Sequence, residues 1–241
     1  MNRRQRGMAL LLVLWALALL AMLLAGLVVE VRQQARLSLW QREHSRASLA
    51  AEAGLNLAVR ALSDQDGQRR WQADGRVRAL QFDDAQLLVS VRSERGKLDL
   101  NAAPAADFAR LAQALGASPA QGRALAVALE QRRGDNQPPL RALEELRDLP
   151  GMNAALYQAL LPQVTVWSGQ EGPDPAFATP ALQQALALPR VTGLGADAGE
   201  VLNIRSQARL PDGFTAVIDS TVLLSGMEDS ARPFRIVRYN E

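Results

Sequence analysis

An unbroken apolar run near the start of the chain constrains its fold more than any other feature. Residues 8–29 are 22 consecutive uncharged, apolar residues. As an α-helix this run is about 33 Å long at about 1.5 Å per residue, which is enough to cross a bilayer. Arg3, Arg4 and Arg6 precede it, and no acidic residue does. The positive-inside rule therefore predicts a single membrane span with a cytoplasmic N-terminus and all residues after 30 on the outer side of that membrane.

The start of the apolar run leaves three interpretations open. A cleaved secretory signal has a shorter apolar region that ends in a small-x-small site, and neither property is present. A plain signal anchor fits. The third interpretation notes that a short basic leader ends at Gly7, directly before Met8. That arrangement resembles the type IV prepilin class, in which cleavage falls between these two residues and keeps the apolar segment.

Composition excludes most catalytic chemistry. There is no cysteine, and His44 is the single histidine, so disulfides, thiolate sites and multi-histidine zinc centres are excluded. No nucleophile elbow, phosphate-binding loop or dinucleotide fingerprint is present. The acidic residues at 144, 145 and 148 are interpreted as a solvated helix face. We expect no enzyme.

The apolar run continues into a longer helix. No proline or turn signal occurs between residues 30 and 62. Residues with small or apolar side chains recur there every three or four positions, which places them on one helical face. The spacing predicts one helix of about 55 residues, half in the membrane and half lying on a soluble domain. This face carries Leu37, Trp40, His44, Ala47, Ala51, Leu55, Ala58 and Leu62, with a parallel stripe of Leu49, Ala53, Leu57 and Ala61.

Strand patterns flank a helical block in the rest of the chain. Strands are predicted over 76–82, 86–92 and 97–101 and again from residue 201, and helices over 104–115, 119–133, 140–147, 153–161 and 181–188. We therefore predict an α+β fold, in which a pilin-like long N-terminal helix packs on an antiparallel sheet carrying an inserted all-helical domain. The predicted segments are 1–7 (leader), 8–29 (transmembrane part of the helix), 30–101 (pilin-like helix and first strands), 102–200 (inserted helical domain) and 201–241 (C-terminal strands completing the sheet).

A weak internal repeat lies inside the helical block. The sequence around Gly116 is similar to that around Gly151, and both place a glycine between two short helical patterns. These segments resemble helix-hairpin-helix units.

An ordered set of motifs is similar to one family, the K-type minor pseudopilins of type II secretion systems (general secretion pathway protein K). The set covers essentially the whole chain: RQRGMALLLVLWALALL, AEAGLNLAVRAL, GKLDLNAAP, LPGM and VLNIRSQARLPDGFTAVIDSTVLLSG. The resemblance implies cleavage between Gly7 and Met8 by the prepilin peptidase and N-methylation of Met8. It also implies a place at the pseudopilus tip with the I- and J-type minor pseudopilins and the major pseudopilin, where the protein aids assembly and protein export below the secretin and contacts secreted substrates.

One departure from ordinary pilins agrees with that subtype. Most prepilins carry Glu at the fifth mature position, which is Leu12 here. A carboxylate in hydrocarbon costs roughly 2.5–3.5 kcal/mol on insertion scales and persists only with a partner. A subunit with no neighbour above it in the fibre has no such partner.

The resemblance also raises the question of calcium, because K-type pseudopilins resemble calcium-binding proteins in their helical domain. Oxygen ligands are available in two loops, from Asp64 and Asp66 in one and from Glu171 and Asp174 in the other. No 12-residue calcium loop is visible, and no ligand set is assigned.

The alternative function is a membrane-anchored helix-hairpin-helix DNA receptor of a competence-type uptake system. Residues 102–200 carry seven arginines and ten acidic residues, which disfavours phosphate binding. Neither hairpin turn has a second glycine. Removal of the leader would change the net charge of the whole chain from +2 to −1. We therefore expect no nucleic-acid partner.

Overall fold

The fold is described from a computed structural model. It describes residues 3–134, 137–191, 196–224 and 234–240. The side chains of residues 3–13, 16, 18, 21, 23–32, 35 and 240 lie outside this description.

Helix α1 (Arg3–Leu62) is 60 residues long and has no break. The expected continuous helix is therefore observed, and it follows from the lack of proline or turn residues in this stretch. Within the part of the chain whose residues are described, no helix is long and apolar enough to span a membrane. Most of the predicted transmembrane segment 8–29 falls on side chains outside the description.

Five antiparallel strands form the main sheet, in the order β1-β2-β5-β6-β7. Strand β2 pairs directly with β5, although the whole helical block lies between them in the sequence. The predicted α+β class is confirmed. The strands are β1 (Arg78–Phe82), β2 (Ala85–Ser93), β5 (Val201–Arg209), β6 (Thr215–Leu224) and β7 (Phe234–Asn240).

The upper half of helix α1 covers one face of this sheet. Its small residues allow the close approach, because Gly54 lies directly over β5 and an added Cβ there would meet the Ser206 Oγ at 2.2 Å. We call the apolar cluster between helix and sheet the sheet cluster. Its buried members include Ala47, Ala51, Leu55, Ala58, Leu87, Val89, Val91, Ile204, Ile218 and Val222.

The helical block contains α2 (Ala105–Ala114), α3 (Pro119–Arg132), α4 (Ala154–Leu160) and α5 (Pro180–Leu186). Ser118, Asn153 and Thr179 cap the last three helices through their side-chain oxygens. The block has a separate apolar core, which we call the block cluster. Its fully buried side chains include Phe108, Leu111, Leu125, Leu129, Leu143, Leu146, Leu160 and Leu182.

Two local predictions were wrong. The predicted helix 140–147 is a 3-10 helix, Leu143–Asp148, because residues before it are extended and the Glu145 carboxylate accepts hydrogen bonds from the backbone N–H groups of Arg141 and Ala142. The predicted strand 97–101 does not join the main sheet. Only β3 (Leu98–Asp99) is a strand, and it pairs in parallel with β4 (Val164–Thr165), which the sequence patterns missed.

Candidate functional site

Helix α1 has two halves with opposite surroundings. From Ala47 to Leu62 its apolar stripe is buried on the sheet. Below that point the stripe continues but the sheet has ended, so Leu37 is 61% and Trp40 54% exposed. The expectation that the whole stripe packs on the soluble domain is therefore wrong for its first residues. We call the exposed part of this stripe, Leu37, Trp40 and His44, the lower helix face.

The lower helix face is locally organised. The rings of Trp40 and His44 stack with centroids 5.1 Å apart and an interplanar angle of 3°. The two residues lie one helical turn apart, which places their side chains on the same side of the helix. His44 is exposed, so it stacks on a neighbour and does not pack in a core. The result is a flat aromatic surface.

An ion-pair chain marks the point where the helix leaves the sheet. Arg46 donates to the Glu43 carboxylate at 2.7 Å and to the Asp84 carboxylate, in the turn between β1 and β2, at 2.8 Å. The hydrogen bond that Arg46 donates to Glu43, followed by the negative charges of Glu43 and Asp84, raises the pKa of Arg46. This chain links the helix to the turn between β1 and β2.

The predicted processing residues lie at the other end of the same helix. The backbone of Gly7, Met8 and Leu12 belongs to α1. Their side chains lie outside the described part of the structure. Cleavage between Gly7 and Met8, and the significance of Leu12, remain predictions.

The four candidate calcium ligands lie in two loops and serve local turns. Asp64 Oδ1 accepts from the Asp66 backbone N–H at 2.9 Å, and Asp66 accepts from Gln68 at 3.0 Å. Asp174 Oδ1 accepts from the Ala176 N–H at 2.9 Å, and Glu171 is exposed. Among the described residues no three acidic or histidine side chains come together as a metal site. Calcium binding by these residues remains a prediction.

The GKLDLNAAP motif has a structural role that the sequence patterns did not show. Asp99 is 1% exposed, and its carboxylate accepts from the backbone N–H groups of Asn101 and Gly169 at 2.8 and 2.7 Å and from the Ser168 hydroxyl at 3.1 Å. In the same motif, the backbone carbonyls of Leu100 and Ala103 accept hydrogen bonds from the Arg133 side chain. Burial lowers the pKa of Arg133. The motif therefore ties the start of the block to its later loops.

A second set of polar contacts joins the block to the sheet. Arg95 donates to the Asp197 carboxylate at 2.7 Å, and the Ser93 hydroxyl donates to the Ala198 carbonyl at 2.6 Å. The Gly199 backbone N–H and then Arg95 lower the pKa of Asp197. A Cβ added at Gly96 would come within 2.3 Å of the Phe177 carbonyl oxygen. The junction thus packs backbone against backbone.

Strand β7 reaches the block through one more ion pair. Arg238 donates to the Glu144 carboxylate at 3.0 Å. Burial alone would raise the pKa of Glu144, but the hydrogen bonds from its own backbone N–H and from Arg238 outweigh it and lower the pKa. The acids predicted as a merely solvated helix face therefore include one that links two parts of the fold.

The first hairpin-like unit contacts the turn of the second. Gly116 and Gly151 have φ of +105° and +89°, the left-handed conformation that glycine adopts without strain. The Gln121 side-chain amide, beyond the first turn, donates to the Gly151 carbonyl at 2.8 Å. This contact uses the second turn for packing within the block.

Comparisons with known proteins agree with the sequence resemblance. The chain is 32% identical over 209 residues to the type II secretion system protein K of Klebsiella pneumoniae, with 68% of this chain and 63% of that protein covered. The chain is therefore similar to a type II secretion system protein K over about two thirds of its own length. It thus spans somewhat less than two thirds of the length of this relative. No protein-family profile matches the chain.

A solved structure shares this fold. A chain in the crystal structure of the GspK-GspI-GspJ complex from the enterotoxigenic Escherichia coli type 2 secretion system superposes with a TM-score of 0.58. The match covers 83% of this chain and 97% of that chain, at 17% identity. The resemblance to the K-type pseudopilins is confirmed. Neither comparison favours the DNA-receptor alternative.

Proposed function

We propose that this chain is a minor pseudopilin that caps the pseudopilus tip of a type II secretion system and aids assembly for protein export across the outer membrane. The main support for the proposal is the similarity to type II secretion system protein K. The long N-terminal helix, whose lower part lies off the sheet, agrees with it. The role is one of assembly and interaction, without catalysis.

The lower helix face supports binding to other helices. Leaving Trp40 or a leucine exposed forgoes about 1.5–3 kcal/mol for each side chain, which burial in a helix bundle would recover. The related solved structure is a complex of three proteins, GspK, GspI and GspJ. We propose that the I- and J-type minor pseudopilins cover the lower helix face, with the major pseudopilin below them.

Two features of the chain support a position at the tip. Leu12 provides no carboxylate for the N-terminal amine of a subunit above it. We propose that residues 102–200 form an inserted domain whose bulk blocks further subunits. Its separate apolar cluster and the direct pairing of β2 with β5 support this assignment. We also propose that the protein contacts secreted substrates and the secretin. Calcium binding in the loops at Asp64 and Asp174 is part of the same proposal.

Processing at the N-terminus follows from the same assignment. We propose that residues 8–29 anchor the protein in the inner membrane, with residues 30–241 in the periplasm. The prepilin peptidase cleaves between Gly7 and Met8, and Met8 becomes N-methylated. Intact-mass measurement after co-expression with a prepilin peptidase should show loss of residues 1–7 and gain of one methyl group. An uncleaved chain, beside a control prepilin that is processed, would refute this step.

Assembly is tested on the lower helix face. We expect Trp40→Ala with Leu37→Ala to reduce co-purification of the I- and J-type partners about tenfold or more, because two large side chains are removed from the contact. The matched control is Val127→Ala, which trims a residue 52% exposed on helix α3. Equal recovery of both partners by the two variants would exclude this face as the contact.

A further inference from the structure

The face of the main sheet that α1 leaves uncovered contains a cleft of about 700 Å³. The helical block overhangs it with the end of α4, so the cleft has a sheet floor and a helical wall. Its lining includes Arg92, Lys97, Gln158, Asn203, Arg205 and Arg238. Neither the processing step nor the lower helix face involves any of these residues.

Strand register brings the arginines together. Arg92 on β2 lies opposite Asn203 on β5, and Arg205 is two residues further along β5. Residues related in this way point to the same face and lie about 7–8 Å apart between Cα atoms. That separation allows a single carboxylate to be bound by both guanidinium groups, each of which can donate two parallel hydrogen bonds.

The charges in the cleft are unevenly neutralised. Lys97 is paired with the buried Glu94, and Arg238 is paired with Glu144. Arg205 has only a 3.6 Å contact with Asp219, whose carboxylate already accepts from Asn203 at 2.7 Å. Arg92 is exposed and has no carboxylate within 4 Å among the described residues. The cleft therefore has two arginines whose charge is available to a ligand.

One further donor increases the positive potential. Arg238 Nε is buried and has no hydrogen-bond partner among the described residues. An unpaired N–H in a low-dielectric environment attracts negative charge more strongly than it would in water. It lies on the same side of the sheet as Arg92, in the row Arg92–Asn203–Thr221–Arg238 across four strands.

We propose that this cleft binds an extended acidic segment of another protein, with one carboxylate held between Arg92 and Arg205. The neutral part of the lining suits a peptide, because Gln158 and Asn203 supply amides for its backbone and Leu161, Pro162 and Val217 supply apolar contact. A nucleic acid needs several phosphates neutralised in a row. Among the described residues that line the cleft, only Arg92 and Arg205 have charge available, which is too few for a run of phosphates but enough for one carboxylate. Binding of the acidic segment does not depend on a position at the pseudopilus tip.

The test uses the full chain in detergent micelles and a fluorescent peptide of alternating Glu and Ser. Anisotropy should show saturable binding that salt weakens, and the same peptide with Gln in place of Glu should bind about tenfold more weakly or not at all. Equal binding of the two peptides, or no binding of the acidic peptide, would overturn the proposal without any protein variant. Stronger competition by a single-stranded oligonucleotide than by unlabelled peptide would overturn the choice of a peptide ligand.

Variants locate the binding in the cleft. Arg92→Gln with Arg205→Gln should weaken binding of the acidic peptide about tenfold, because each partly exposed ion pair contributes a few-fold to the affinity. Arg209→Gln with Arg123→Gln removes the same charge from exposed positions outside the cleft and should change binding less than about twofold. Equal losses in the two double variants would refute the site. Arg92→Glu with Arg205→Glu should instead favour a Lys-containing peptide, an outcome that a misfolded variant cannot produce.

Discussion

The two apolar clusters of this molecule are built from different residues. In the sheet cluster the helix contributes mainly alanine, with Gly54 at the closest approach, and the strands contribute Val, Leu and Ile. The block cluster is dominated by leucine with Phe108 and Tyr157, and the buried Asp99 anchors the loops beside it. Small residues set how closely a long helix approaches a sheet. Large residues and a satisfied buried carboxylate instead fix short helices whose connections are mostly loop.

The largest expected effect separates the stabilities of the two clusters. Phe108→Ala should lower the free energy of unfolding of the block by about 3–5 kcal/mol, because Phe108 is 1% exposed and its removal leaves a cavity. Trp167 packs against the block cluster and Trp71 against the sheet cluster. Urea unfolding can be followed in variants that retain only one of these two tryptophans. Phe108→Ala should then shift the transition reported by Trp167 more than the transition reported by Trp71.

Val127→Ala is the control for Phe108→Ala, because Val127 is exposed on α3. It should change the stability by no more than about 0.5 kcal/mol. Equal shifts of the Trp71 and Trp167 transitions by Phe108→Ala would mean that the two clusters unfold as one unit.

The next effect tests the close approach in the sheet cluster. Gly54→Ala would ordinarily stabilise a helix by about 1 kcal/mol. Here the new Cβ would lie 2.2 Å from Ser206 Oγ, so we expect a net loss of about 1–3 kcal/mol from overpacking. Thermal unfolding measures the change.

Ser206→Ala provides the matched rescue. Its Oγ is buried without a hydrogen-bond partner among the described residues, so the single variant should be close to neutral. Combined with Gly54→Ala it should restore most of the loss, since the nearest remaining contacts are at 3.2–3.3 Å. A double variant no more stable than Gly54→Ala would show that Ser206 does not limit the approach.

The smallest effect concerns the link between the sheet and the block. Glu144→Gln should cost at most about 0.5 kcal/mol at neutral pH, because the Glu144 side chain is 51% exposed and its bridge to Arg238 is screened by solvent. The pKa of the Glu144 carboxyl is lower in the folded chain than its ordinary value of 4.5. The bridge therefore adds stability above that value and loses it as the pH falls through the folded-state pKa.

Melting temperatures of Glu144→Gln and the unchanged chain across this pH range provide the measurement. The difference should be present at neutral pH and shrink in acid. A difference that grows as the pH falls would contradict the assigned direction of the pKa shift.

Much of the architecture could be predicted from local patterns. The length of α1 follows from a stretch without helix breakers, and the caps at Ser118 and Asn153 follow from residue type and spacing. The helix predicted over 140–147 failed because Glu145 caps a tighter 3-10 turn. The ion pair of Glu144 with Arg238 was missed because its partner lies on the last strand.

The sequence by itself determined the order of the elements, the continuous helix and the similarity to the K-type pseudopilins. These depend on periodicity, propensity and motifs within single segments. Only the tertiary structure decided where α1 leaves the sheet, which two residues of 97–101 form a strand, and that Arg92 and Arg205 share a cleft. Strand pairing and register join segments far apart in the chain, and no pattern within one segment specifies its distant partner.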